Sequence, residues 1–138
     1  MNPAPMPYVT ALYAGVFALL LIVLGLRVVT MRRSLNVGLG DGGEERLARA
    51  IRVHGNAVEW GLVVLLLMLV AELNRASGLM LHCCGVVFVV GRVLHAFGLN
   101  QSSKRSRGRV LGMIATMAVL VVLALWNIWA FLRVAAIV

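Results

Sequence analysis

Acidic residues are scarce in this 138-residue chain: five Asp and Glu stand against thirteen Lys and Arg, a formal net charge of +8. So basic a balance can mark a nucleic-acid binder. Here the cations sit in short clusters between apolar runs rather than along one exposed face, which argues against nucleic acid as a partner. Cysteine is nearly absent, with Cys83 and Cys84 adjacent inside an apolar run. That pair matches no metal or redox spacing, and neighbouring cysteines rarely bridge to each other, so both are expected to be reduced, buried packing residues. The only prolines are Pro3, Pro5 and Pro7, which discourage a helix start before Tyr8. The first ten residues lack the Lys or Arg of a signal-peptide leader, and the apolar run that follows is too long for one, so no cleavage is expected. No fixed-period repeat or low-complexity tract divides the chain, so a single domain over residues 1–138 is expected.

What the chain has in excess is apolar sequence, with 62% hydrophobic residues and a mean hydropathy of +0.96. Ordinary soluble domains fall well below this, so lipid is the expected solvent. A bilayer core of about 30 Å needs about 20 apolar residues per helix, and such runs are predicted at 8–29, 47–73, 79–99 and 110–132. They are about twice the length of a barrel strand and show no alternation of apolar and polar residues, which excludes a β-barrel. The expected fold is all-α: an integral-membrane, antiparallel four-helix bundle.

Two connectors hold most of the positive charge. The first carries Arg32, Arg33, Arg46 and Arg49 around a glycine-rich loop, and the third carries Lys104, Arg105, Arg107 and Arg109. The positive-inside rule therefore predicts that both face the cytoplasm and that both termini lie on the opposite side. Tyr8, Tyr13, Trp126 and Trp129 fall toward those opposite ends, where an aromatic belt is expected.

Polar residues within the second run form a stripe. Arg52, Asn56 and Glu59 stand at i, i+4 and i+7, within about 60° of helical arc at about 100° per residue, and Arg49 extends the stripe by a turn. Charges at membrane depth are costly unless paired, so they usually face a bundle interior or a wet cavity. An Arg52–Glu59 pair anchoring the helix at the interface would explain the same residues without a ligand. The third run repeats the pattern with Arg92 and His95 one turn apart. Arg92 snorkelling to the interface and His95 bonded to a carbonyl are the plainer alternatives there. Taken jointly, the two stripes predict a cationic pocket containing one carboxylate and one amide. It suits a small ligand with several carboxylates and one ammonium group.

The segment Arg49-Ala50-Ile51-Arg52-Val53-His54-Gly55-Asn56-Ala57-Val58-Glu59 resembles the Arg-x-x-x-Asn-x-x-Glu signature of the MAPEG family, the membrane-associated proteins of eicosanoid and glutathione metabolism. Gly91-Arg92-Val93-Leu94-His95-Ala96-Phe97-Gly98-Leu99 is similar to the third helix of its bacterial branch, so the resemblance extends over nearly the whole chain. It implies a homotrimer in a bacterial inner membrane, with glutathione as co-substrate in clefts between subunits that open to the cytosol. Carried across, Arg52 binds a glutathione carboxylate and Asn56 hydrogen-bonds the tripeptide. Glu59 takes the ammonium or holds the arginines, while Arg33, Arg49 and Arg92 add positive charge. The implied activity is that of a transferase or peroxidase, which turns the glutathione thiolate on lipophilic small molecules.

The family's transferases activate the thiol with tyrosines and with an Arg near the start of helix four. This chain has Trp60, His95 and Leu99 at the tyrosine positions, and the family spacing from Arg92 lands on Ser106, between Arg105 and Arg107. Either Arg would favour the thiolate as a nearby cation, and His95 would orient or deprotonate the thiol. Two further classes fit the same composition. A small four-helix transporter would also carry a membrane carboxylate, although such exporters place it in the first span, which here has none. A catalytically silent scaffold or lipid-binding relative would keep the fold without the tyrosines.

Overall fold

The computed structural model describes residues 6–98 in full, the backbone of 99–101, and residues 106–136. Four helices follow one another: α1 (Tyr8–Leu35), α2 (Glu45–Leu73), α3 (Gly78–Gln101) and α4 (Arg107–Ala135). All four are long and apolar enough to cross a membrane, and no strand occurs among the described residues. The chain is an all-α integral-membrane bundle. Its helices outrun the apolar stretches, most of all at the end of α1, because backbone hydrogen bonding continues where side chains turn polar at the membrane boundary.

Local chemistry sets the ends. Asn36 closes α1 in the left-handed conformation (φ 55°), its N–H and that of Val37 returning to the last-turn carbonyls of Arg33 and Arg32. The glycine-rich loop then turns through Gly40, Gly42 and Gly43, all at positive φ. Ser106 starts α4 as its N-cap. Its hydroxyl donates to the Gly98 carbonyl at 2.8 Å and accepts from the Arg109 N–H at 3.4 Å, which ties α4 to α3.

The helices pack as two hairpins, α1 with α2 and α3 with α4, and α2 also touches both α3 and α4. Phe17 and Phe88 meet at the centre with ring centroids 5.0 Å apart, over buried Val64, Met68, Leu81 and Leu123. Large apolar side chains remain exposed along all four helices, as lipid or a neighbouring subunit requires.

Two expectations need correction. Cys84 is buried and both cysteines are free, but Cys83 is exposed. Adjacent helical residues point about 100° apart, and here Cys84 takes the core face while Cys83 turns outward. Tyr13 is buried rather than part of an interfacial belt, its hydroxyl donating to the His82 carbonyl at 3.1 Å.

At the end opposite the basic loops, Glu72 supplies a contact that the sequence pattern does not single out. Pro7 offers α1 no side-chain cap. The nearly buried Glu72 carboxylate accepts instead from the N–H groups of Val9 (2.8 Å) and Thr10 (2.7 Å). A carboxylate on a helix N-terminus satisfies orphan donors and meets the positive end of the helix dipole. Glu72→Ala is expected to destabilise the protein by about 1–3 kcal/mol, with Glu72→Gln losing less, as read by thermal unfolding in detergent. An unchanged melting temperature for the alanine variant would show that the clamp contributes nothing.

Candidate functional site

At the basic end, one polar network runs through the bundle interior. Arg92 is 1% exposed, the largest side chain so deeply buried, so it does not snorkel. Its Nη2 donates to Asn56 Oδ1 at 2.7 Å and meets His95 Nδ1 at 3.3 Å, while Nη1 lies 3.5 Å from the Thr116 hydroxyl. That hydroxyl itself donates to the Gly112 carbonyl at 2.9 Å. Arg92 Nε has no partner, and no carboxylate pairs with this guanidinium among the described residues.

The network also sets the tautomer of His95. A guanidinium only donates hydrogen bonds, so His95 Nδ1 accepts and the ring hydrogen resides on Nε2. His95 therefore offers a ligand a donor rather than a basic nitrogen. It lines a cleft of about 320 Å³ together with Arg109, Val110, Met113 and Ile114 of α4.

The remaining expected residues stand elsewhere. Arg52 and Glu59 are exposed on the outer surface of α2, and no Arg52–Glu59 ion pair forms among the described residues. Asn56, between them in sequence, faces inward to Arg92. Arg49 pairs with Glu45 at 2.7 Å on the surface. Arg33 lines a separate hollow beside Arg32 and Asn36 at the turn after α1. Arg107 is exposed and borders a different opening with Ser106 and Leu111. Arg105 lies outside the described residues, as does the side chain of Leu99. The chain thus joins Asn56, Arg92 and His95 but leaves Arg52, Glu59 and Arg33 on its surface.

Glu59 lies fourteen residues from either end of α2, about 21 Å by helical rise. A bilayer core of about 30 Å places this exposed carboxylate well inside the hydrocarbon. Among the described residues unmet charge thus stands on two faces: a guanidinium without an anion inside, and outside the exposed Glu59 at depth, with Arg52 about 10 Å nearer the basic end.

Arg109 and Thr116 join the site without having been expected there. Thr116 carries a signal in the sequence, a hydroxyl inside an apolar run one turn from Gly112. Arg109 reads in sequence only as one of the loop charges, because fixed spacing from Arg92 lands three residues earlier, on the N-cap Ser106.

Comparison with known proteins agrees with this architecture. The sequence profile of the MAPEG family matches residues 10–129. Inner membrane protein YecN of Escherichia coli strain K12, and the protein of the same name in Escherichia coli O6:H1 strain CFT073, are each 43% identical over 121 residues, covering 88% of this chain and 91% of theirs. The match spans all four helices and the whole polar network, and on that ground the chain belongs to the MAPEG family.

Proposed function

We propose that this protein binds glutathione and directs its thiolate at lipophilic electrophiles dissolved in the bilayer, acting as a transferase or peroxidase in a bacterial inner membrane. The observation that carries the reading is the exposed Glu59 at membrane depth, with the exposed Arg52 about 10 Å nearer the basic end, beside a buried Arg92 that has no anion among the described residues. Charges so placed are expensive in lipid and imply a polar cover. A second copy of the chain and a ligand with two carboxylates and an ammonium group would supply it.

In this reading three copies form a homotrimer and each cleft lies between neighbours. The outer face of α2 gives Arg52 to a glutathione carboxylate and Glu59 to its ammonium. The α3–α4 cleft of the adjoining copy receives the thiol beside Arg109 and His95. A fixed cation there favours the thiolate and holds it without removing its proton directly. The Nε2–H of His95 adds a donor that orients the sulfur. Asn56 and Arg92 hold that ring in place, and the basic loops at the cytoplasmic mouth draw in the anionic peptide.

The test is thermal stability of the detergent-purified protein with and without millimolar glutathione. Ligand at about ten times its Kd adds about 1.4 kcal/mol, a rise of about 5 °C. The wild type is expected to show that rise and Arg52→Ala to lose it. No rise in the wild type would overturn the ligand, and an undiminished rise in Arg52→Ala would remove α2 from the site.

A further inference from the structure

A second concave feature lies between α1 and α3, apart from the polar network. Its floor is Leu24 and Ala96, each 7% exposed, and its walls are Val23 and Phe97, 63% and 64% exposed. Leu20 and Val93 close its deep end, and among the described residues Arg27 is the one charged residue lining it. The hollow measures about 190 Å³.

Its depth in the bilayer follows from helix geometry. α1 and α3 run in the same direction, and Arg27 and Phe97 each lie nineteen residues from the start of their helix, about 28 Å along it. With a hydrocarbon core of about 30 Å, Arg27 sits at the level of the lipid headgroups at the basic end. Leu20 lies about 10 Å deeper, among the acyl chains. Among the described residues no carboxylate pairs with Arg27, and α1 contains no acidic residue.

We infer that this groove is a binding site for an anionic phospholipid of the leaflet at the basic end. One acyl chain lies along Leu24 and Ala96 between Val23 and Phe97, and its phosphate meets Arg27. A slot that is apolar inside the bilayer and cationic at its mouth matches a lipid in both parts. Arg32 and Arg33, one to two turns beyond Arg27, disfavour a headgroup that carries its own ammonium. The site therefore selects phosphatidylglycerol over phosphatidylcholine. One basic residue near the membrane surface accounts for about a fivefold preference.

The probe is phosphatidylglycerol with a photoreactive diazirine at the end of one acyl chain, used in nanodiscs of phosphatidylcholine that hold the full-length protein. Peptides carrying Leu20–Leu24 and Val93–Phe97 are expected to take the label about fivefold more than with the matching phosphatidylcholine probe. Arg27→Gln, a surface change that leaves the core intact, is expected to reduce labelling to the phosphatidylcholine level. Phe97→Ala, which opens one wall, is expected to weaken labelling by both probes. Labelling spread evenly over the outer faces, or unaffected by Arg27→Gln, would overturn the site. So would a disulfide between subunits joining Val23→Cys to Phe97→Cys, because a second copy would then occupy the groove.

Discussion

Replacing Arg109 with alanine is expected to slow glutathione conjugation to an aryl halide about a hundredfold, a loss of about 2.7 kcal/mol in transition-state stabilisation. The loss should fall on kcat more than on the KM for glutathione, because in the proposed site the cation acts on the sulfur rather than on the peptide's carboxylates. Arg109 shares the α3–α4 cleft with His95, whereas Arg107 is exposed at a different opening. Arg107→Ala is therefore expected to change the rate less than about threefold, as a rim charge would. The ultraviolet absorbance of bound thiolate gives a second readout and should disappear in Arg109→Ala alone. An inert Arg109→Ala beside a strongly impaired Arg105→Ala or Arg107→Ala would transfer the role to that residue.

Gly112→Leu is expected to prevent the α3–α4 hairpin from closing, at a cost above about 3 kcal/mol. A Cβ at Gly112 would overlap the Gly91 carbonyl oxygen and the backbone and Cβ of His95, and one at Gly98 would overlap the Arg109 backbone. These obstacles are largely backbone, so no rotamer change relieves them. Small residues of this kind let membrane helices approach closely enough for van der Waals packing to hold them. The same crossing carries the Arg92, His95 and Thr116 network, so a variant that survives should also misplace His95. Gly15 is the control, since nothing lies within 4 Å of where a Cβ would stand there and Gly15→Leu would face open space. Yield of monodisperse protein in detergent, followed by thermal unfolding, separates the two. Equal behaviour of Gly112→Leu and Gly15→Leu would refute the packing role of the crossing.

Several features were legible because they depend on short stretches of chain. Span count and length follow from hydropathy, and the stripe of Arg52, Asn56 and Glu59 follows from helical period. Helix rotation was harder to read. The stripe divides, with Asn56 turned toward Arg92 and its neighbours exposed, because a 60° arc is wide enough to straddle the edge of a helix contact. Snorkelling is a fair expectation for an arginine near a helix end, and only the neighbouring helices bury Arg92. Glu72 gives no local hint of its role, since its partners lie 62 and 63 residues away.

Composition and periodicity by themselves determined that this protein is a four-helix membrane chain with its positive charge at one end, since each helix satisfies its own backbone and each span needs only its own apolar length. Tertiary structure alone decided which polar groups meet. The rotation of each helix and the close glycine crossing of α3 with α4 arise from packing between segments distant in sequence. That packing buries Arg92 with Asn56 and His95, brings Arg109 to the cleft, and leaves Arg52 and Glu59 facing outward.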